Sequence, residues 1–395
     1  MYENIIIGLT GSFGSGCNEA YKYLKDKGFE QFSLAAKIRK IAEEKGIDPN
    51  RNNLQNIGDG LRKDHGQTYL VEDVFSKISW KSKDPIVIKS IRNDKEALFF
   101  KKRLINFFLI NIDAPRKLRL QREKKKKKSE FTTDEDFDKV DERDTGEEEP
   151  PYGQHVKKCV DYSDIIINND GSKNDLHKKI EYYLNLIEKP GIYRPTELET
   201  HMAEAYFWSM QSSCLKRKVG AIIVKNGYTI SSGYNDTPKR RIIEKENKYI
   251  ELKIPSCKEI CYRDMYKRCF NEECNKLITF ILDRCHECNM TLDKNQKNVL
   301  SKHLDLCRAI HAEERAILQT AKFGGQSLEN TTLYTTTYPC QLCAKKIIEV
   351  GISKVVYIDP YPYKESHKIL KHANIELEKF EGVKSRKFDN LYMII

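Results

Sequence analysis

The 395-residue sequence has no long uninterrupted run of apolar residues. A helix that crosses a membrane needs roughly 20 consecutive apolar residues, and no stretch of the sequence approaches that length. The short run Ile5-Ile6-Ile7 is followed at once by Gly8, so it is too short to be the core of a secretory signal peptide. We therefore expect a cytoplasmic protein with no membrane partner.

Acidic residues are also in deficit, because 69 lysines and arginines face 58 aspartates and glutamates and leave a net charge of +11. A positive balance favours anionic partners such as nucleotides, RNA or DNA. Lysine is spread along the whole chain, however, so a lysine-rich composition of the host's proteins explains the charge more simply. The sequence also lacks the interleaved aromatic and basic residues that bind single strands.

Cysteine, by contrast, is abundant, with 12 residues. Most of them lie between Cys257 and Cys343, at spacings that are typical of metal sites. Disulfides are rare in a reducing compartment, so this pattern indicates metal binding.

One cysteine pair belongs to an H-x-E … P-C-x-x-C pattern made by His311, Glu313, Cys340 and Cys343. One histidine and two cysteines supply three Zn²⁺ ligands and leave a fourth position open, which is typical of a catalytic site. This signature occurs in zinc-dependent nucleobase deaminases, in which the glutamate carries protons and does not bind the metal. The alternative, a structural zinc knuckle, needs a fourth protein ligand and has no use for Glu313.

The spacing of these residues also predicts local structure. Cys340 and Cys343 would be neighbours on one helical face, and Pro339 suits the start of that helix. His311 and Glu313 would point to opposite sides of a regular helix, so we expect them where a helix begins and its backbone is not yet regular.

The C-terminal half resembles the deoxycytidylate deaminase family over residues 197–395. The resemblance rests on residues 213–224, 232–238, 311–318 and 333–358. It implies that Asn235 hydrogen-bonds the sugar of the substrate and that the protein is a homo-oligomer. It also suggests that the basic segment meets the phosphate, although a solvated turn explains that segment equally well; the segment consists of Lys216, Arg217 and Lys218.

The whole sequence is similar to one bacterial branch of that family, in which a P-loop kinase-like domain precedes the deaminase. Those proteins defend against phage by destroying deoxycytidine nucleotides. The resemblance implies dCTP and dCMP as substrates and dUTP and dUMP as products. A housekeeping dCMP deaminase of thymidylate synthesis would explain the C-terminal half but not the N-terminal domain. A deaminase of cytidine or adenosine in RNA or DNA is a third hypothesis. An inhibitory RNA or protein partner also stays open.

We expect two α/β domains. Residues 1–192 alternate wholly apolar strands with helices, which predicts a P-loop nucleotide-kinase-like domain with a parallel sheet. Residues 193–395 are expected to form a cytidine-deaminase-like α/β/α domain with a cysteine-rich insert at 239–308. The segment at 123–128, which contains five consecutive lysines, and the acidic stretch at 134–149 are expected to form a mobile lid or inserted loop.

The phosphate loop is degraded. It follows a strand and opens a helix, as a P-loop does, but Cys17 replaces the lysine and Asn18 replaces the serine or threonine that holds magnesium. Lys89, on a later strand, replaces the usual acidic residue. We therefore expect no phosphoryl transfer, and either a bound regulatory nucleotide or a structural remnant. The candidate nucleotide-binding residues are Gly11, Gly14, Ser15, Gly16, Cys17 and Asn18.

The cysteine-rich insert predicts a second, structural zinc. Cys285 and Cys288 form a half-site, and Cys269 with Cys274 is the favoured partner pair. The pair at 257 and 261 is the alternative.

Overall fold

The computed structural model describes residues 4–126, 131, 133–146, 149–243, 249–253, 266–268, 277–281, 284–285, 307–359 and 364–393. The chain divides into two compact units: Met1–Glu199 with Glu381–Ile395, and Thr200–Phe380. The division near residue 199 lies close to the expected boundary at 192/193. The difference lies at the C-terminal end, where residues 381–395 belong to the first unit. Within the described ranges, the helices are too short or too polar to span a bilayer.

Strands and helices alternate through the first part of the chain. In chain order the strands are β1 (Ile6–Thr10), β2 (Glu30–Ser33), β3 (Ile86–Lys89), β4 (Phe107–Asp113), β5 (Ile165–Asn168), β6 (Gly220–Lys225), β7 (Tyr228–Tyr234), β8 (Lys239–Ile243), β9 (Tyr249–Lys253), β10 (Tyr266–Arg268), β11 (Leu277–Ile281), β12 (Arg284–Cys285), β13 (Thr332–Thr337), β14 (Lys354–Asp359), β15 (Glu376–Lys379) and β16 (Gly382–Val383).

The α-helices are numbered in the same way. They are α1 (Cys17–Asp26), α2 (Ala35–Glu44), α3 (Arg51–His65), α4 (Tyr69–Phe75), α5 (Asp94–Arg103), α6 (Arg116–Lys124), α7 (Asp134–Thr145), α8 (Val156–Tyr162), α9 (Lys173–Glu188), α10 (Glu197–Ser209), α11 (Ala312–Lys322), α12 (Gln341–Glu349), α13 (Lys364–His372) and α14 (Phe388–Tyr392).

The first unit contains a six-stranded sheet in the order β16-β5-β4-β1-β3-β2. β1 to β5 pair in parallel, and β16 pairs antiparallel to β5 at the edge. Side chains of β1 alternate between two apolar clusters, since Ile7 and Leu9 belong to one and Ile6 to the other. A sheet covered on both faces explains why its strands are apolar throughout, and the predicted parallel sheet is confirmed.

Most of the acidic stretch forms a helix, α7, whereas the sequence suggested a lid or an inserted loop. Thr133 and Asp136 form a capping box at the start of α7. Phe137 and Val140 are buried in an apolar cluster with Phe13. Residues three apart share one face of a helix, so this acidic helix still has an apolar side with which to pack.

The C-terminal segment completes the first unit. Val383 and Leu391 are buried in the same apolar cluster as β1 and β5. The carboxylate of Glu199 accepts hydrogen bonds from the Val383 amide, at 2.7 Å, and from the Tyr392 hydroxyl, at 2.8 Å. Apolar burial and hydrogen bonds together hold this segment at the sheet edge.

We therefore expect Leu391→Ala to destabilise the first unit by about 2–5 kcal/mol, because the substitution leaves a cavity in a closed core. Urea unfolding and amide hydrogen exchange at Ile165–Asn168, next to β16, would measure the loss. Met393→Ala is the control, since the Met393 side chain is 57% exposed. Equal stability of the two variants would contradict a role of this segment in the core.

The second unit contains a five-stranded sheet in the order β15-β14-β13-β6-β7. β13, β14 and β15 are parallel, whereas β6 pairs antiparallel with both β13 and β7. The predicted hairpin is confirmed as β6–β7, with Asn226 and Gly227 both at positive φ, as in a type I′ turn. The backbone of the insert forms the pair β8–β9 and the small sheet β10-β11-β12.

Candidate active site

Two helices of the second unit begin close together. His311 is the N-cap residue of α11 and Cys340 is the N-cap residue of α12, both with extended backbone. The start of a helix carries partial positive charge, which favours thiolates and other anions there. The expected irregular backbone at His311, just before the helix that carries Glu313, is confirmed.

A glycine in β7 lets α11 lie directly against the sheet. A Cβ atom on Gly233 would come within 2.2 Å of the Ala312 carbonyl oxygen and 2.6 Å of the Ala316 nitrogen. Any larger residue would push α11 away from β7. Gly233 thus fixes the height at which the helix start, and His311 with it, lies above the strands.

The three predicted ligands converge. His311 Nδ1 lies 3.3 Å from Cys340 Sγ and 3.4 Å from Cys343 Sγ. All three donor atoms lie within 4.8 Å of one another. Zinc bonds of about 2.3 Å to sulfur and about 2.0 Å to nitrogen place tetrahedral S and N ligands about 3.6 Å apart. The donor set and its spacing fit a zinc ion, and the predicted zinc cofactor is confirmed.

The electrostatics of the two thiols also fit a divalent cation. A hydrogen bond with Cys343, and then one with His311, lowers the pKa of Cys340. The bond with Cys340 and burial raise the pKa of Cys343. The two thiols compete for one negative charge, and a coordinated metal cation stabilises both thiolates.

Glu313 lies in the first turn of α11, two residues after His311, and its side chain is almost fully buried. Its Oε2 atom is 3.7 Å from Cys343 Sγ. Burial raises the pKa of Glu313 to about 7. A carboxyl group with a pKa near neutral can both accept and donate protons, which suits an acid–base role.

The side chain of Asn235 binds the backbone just before β6. Its Oδ1 accepts from the Val219 amide at 2.7 Å, and its Nδ2 donates to the Arg217 carbonyl at 2.8 Å. The amide thus ties the end of β7 to the basic segment, in which Lys216 and Lys218 are exposed and Arg217 is half-buried. Contacts of these residues with sugar or phosphate stay predictions.

Sequence reasoning assigned no role to Arg315, although this residue lies within residues 311–318, one of the segments that carry the family resemblance. Arg315 donates to the carbonyls of Tyr234 at 2.8 Å, Asp236 at 2.7 Å and Thr237 at 3.2 Å. Its guanidinium also lies 4.8 Å from the centre of the Tyr234 ring. Arg315 comes one helical turn after His311, and this i, i+4 spacing is the signal that could have identified it.

The candidate phosphate loop joins β1 to α1 in the first unit, as expected. Gly11, Gly14 and Gly16 all have positive φ, so this turn requires glycine. Ser15 is buried, and Cys17 and Asn18 are the first two residues of α1. The Cys17 thiol donates to the Thr10 carbonyl at 3.3 Å.

The second zinc site falls outside the described part of the structure. Cys269, Cys274 and Cys288 are not among the described residues, and Cys285 is described only by its backbone in β12. The four-thiolate site therefore stays a prediction.

Comparison with known proteins agrees with this geometry. Residues 195–359 match the family described as "Cytidine and deoxycytidylate deaminase zinc-binding region". The deoxycytidylate deaminase of Enterobacteria phage T2 is 34% identical over 183 residues, which are 44% of this chain and 86% of the phage protein. This protein therefore belongs to the deoxycytidylate deaminase family.

The likeness extends to the first unit. The deoxycytidylate deaminase of Schizosaccharomyces pombe is 26% identical over 377 residues, which are 95% of this chain and 97% of that protein. The crystal structure of the cyanophage S-TIM5 dCMP deaminase, in complex with dCMP and dUMP, is 24% identical, covers 48% of this chain and 99% of its own, and has a TM-score of 0.29. The S. pombe protein therefore aligns with both units of this chain.

We expect Cys343→Ser to release zinc, because serine oxygen is a far poorer zinc ligand than thiolate. Elemental analysis of the purified protein should show one zinc ion fewer per chain. Cys214→Ser is the matched control and should keep the full content, since Cys214 lies outside the three-residue cluster. Undiminished zinc in Cys343→Ser would contradict the ligand assignment.

Proposed function

We propose that this protein catalyses the hydrolytic deamination of deoxycytidine nucleotides, converting dCMP and dCTP to dUMP and dUTP with release of ammonia. The observation that carries the proposal is the convergence of His311, Cys340 and Cys343 beside the buried carboxyl group of Glu313. Membership of the deoxycytidylate deaminase family supports the choice of substrate class.

His311, Cys340 and Cys343 would hold the zinc. Zinc with one open position acts as a Lewis acid that makes water nucleophilic near neutral pH. His311 and Cys340 each precede a helix, and Cys343 lies in the first turn of α12. Regular helices therefore hold all three ligands in a rigid frame. Such a frame keeps the reacting atoms aligned, which lowers the barrier without further reorganisation.

Glu313 would move the protons. In the proposed reaction its carboxylate takes a proton from the attacking water and delivers it to the ring nitrogen beside the amino-bearing carbon. It then passes the second proton of the water to the leaving amino group, which departs as ammonia. The carbonyl oxygen of the product comes from water, so the reaction needs no further reactant.

The segments that flank the metal centre would bind the rest of the nucleotide. Arg315 holds the backbone of residues 234–237, and Asn235 joins that segment to residues 217–219. In the proposal Asn235 faces the sugar, and Lys216 and Lys218 meet the phosphates. Asn235 Oδ1 already accepts one backbone hydrogen bond, so a sugar hydroxyl would use its second lone pair.

The proposed biological role is depletion of dCTP in defence against phage, by a cytoplasmic homo-oligomer. Housekeeping supply of dUMP for thymidylate synthesis is the second candidate, and the S. pombe relative, which matches 95% of this chain, is named for deoxycytidylate alone. The two roles differ in whether dCTP is a substrate.

We expect Glu313→Gln to lower kcat by about 10²–10⁴-fold, the usual contribution of a positioned acid–base group, while the protein keeps its zinc. Ammonia release and elemental analysis on the same preparation would show both results. Glu314→Gln is the control, because Glu314 lies on the same turn but pairs with Lys346 at 2.5 Å. A Glu313→Gln protein with full activity would disprove the assigned role.

Product analysis with dCMP, dCTP, cytidine and a short single-stranded DNA would test the substrate class. We expect turnover of both deoxynucleotides and none of the DNA. Turnover of dCMP alone would support the thymidylate role, and turnover of the DNA alone would replace the proposal with polynucleotide deamination.

A further inference from the structure

A cavity of about 720 Å³ opens beside the degraded phosphate loop of the first unit. It is bounded by the turn between β1 and α1 and by the end of β3. Cavities of about 300–1,000 Å³ are typical of small-molecule sites. The cavity is far along the sequence from the zinc ligands and does not include them.

The cavity is strongly basic. Among the described residues that line it, nine are arginine or lysine and two are acidic, Glu19 and Glu123. Both acidic side chains are paired with lysines, Glu19 with Lys173 at 2.9 Å and Glu123 with Lys126 at 2.6 Å. Three of the arginines also pair with carboxylates that do not line the cavity, Arg62 with Glu96 and both Arg51 and Arg92 with Asp144. The wall still carries an excess of positive charge, which suits an anionic ligand.

Several anion-binding groups in this part of the unit already meet around one carboxylate. Asp144 of α7 accepts from the Phe13 amide of the phosphate loop at 3.2 Å and from Arg51 at 2.6 Å, and it also pairs with Arg92. A backbone amide and two guanidinium groups around one carboxylate show that this wall holds a negative group, and Asp144 fixes the positions of Arg51 and Arg92. They belong to the same wall as the glycine turn.

Two positions that bind magnesium in phosphate-loop enzymes carry residues here that are not the usual magnesium ligands. Asn18 stands where a hydroxyl binds the metal, and Lys89 stands where a carboxylate does. The Lys89 ammonium lies 3.1 Å from Asn18 Oδ1 and 4.2 Å from the centre of the Tyr21 ring. A fixed cation thus occupies the neighbourhood in which a divalent cation would otherwise bridge the phosphates.

We propose that this cavity binds a nucleoside 5′-phosphate without a divalent metal, with the ammonium of Lys89 in place of magnesium. The basic wall and the glycine turn bind the phosphates. Leu34, Ile38 and Leu70 give the same cavity an apolar region that suits a nucleobase. Cys17 points back to the Thr10 carbonyl and offers the phosphates no charge, so the ligand is bound and not phosphorylated.

Calorimetric titration of the full-length Glu313→Gln protein tests this proposal without relying on deaminase activity. The probes are ATP, GTP, dTTP and inorganic pyrophosphate, in buffer freed of divalent cations by a chelating resin, with and without added magnesium. We expect saturable binding of at least one nucleotide in the metal-free buffer, with an affinity that magnesium changes by less than about threefold.

Lys89→Met should weaken that binding by about tenfold or more, the loss expected for one hydrogen bond between charged groups. Lys22→Met is the matched control, since Lys22 is exposed on α1 and does not line the cavity. The double variant Asn18→Ser with Lys89→Asp restores magnesium ligands, and its nucleotide binding should become magnesium-dependent. Thermal unfolding of each variant shows whether it is folded.

Four results would overturn the proposal. The first is nucleotide binding that requires magnesium in the unaltered cavity. The second is equal affinity of the Lys89→Met and Lys22→Met proteins. The third is the absence of binding by every nucleotide at millimolar concentration. The fourth is pyrophosphate binding as tightly as the nucleotides, which would remove the nucleobase from the proposal.

Discussion

The candidate active site depends on two helices that begin at the same point beside one sheet. His311 precedes α11 and Cys340 precedes α12, so the metal ligands lie where two sets of backbone amides carry partial positive charge. This arrangement requires α11 to lie close to β7, and Gly233 alone in that strand leaves the Ala312 carbonyl the room it needs. A backbone constraint in a strand thus fixes the position of a ligand on a neighbouring helix. The buried acid Glu313 follows from the same placement, because the first turn of α11 carries it into the space that the ligands enclose.

Sequence reasoning works well where the chemistry is local. The ligands and Glu313 lie in two short motifs, and the requirement that His311 precede a regular helix followed from a two-residue spacing. The parallel sheet also followed from apolar strands such as Phe107–Asp113. Reasoning failed where distant partners decide the structure. The acidic stretch was expected to be a mobile lid or an inserted loop because its charge dominates its composition, but most of it forms a helix whose Phe137 and Val140 pack in a cluster with the distant Phe13. Likewise, nothing local in Gly382–Val383 indicates that this strand pairs with β5.

Many polar side chains near the two candidate sites bind the protein's own backbone. Asn235 and Arg315 hold loops of the second unit, and Asp144 holds the phosphate loop of the first. A buried polar group without a partner costs free energy, so such groups are used for structure even beside a binding site. A motif therefore identifies which side chains are near a ligand more reliably than which ones touch it. Asn235 is an example, since its side-chain amide binds the backbone of Arg217 and Val219.

The return of residues 381–395 to the first unit affects the order in which the protein can be completed on the ribosome. All strands of the second sheet, β6, β7, β13, β14 and β15, are synthesised before β16 leaves the ribosome. The first sheet, whose other strands emerge earliest, keeps its β5 edge open until β16 has been synthesised. An unpaired strand edge is a template for wrong pairing between chains. The unit that is translated first can therefore complete its sheet only after every strand of the second sheet has been made, and it carries an open strand edge until then.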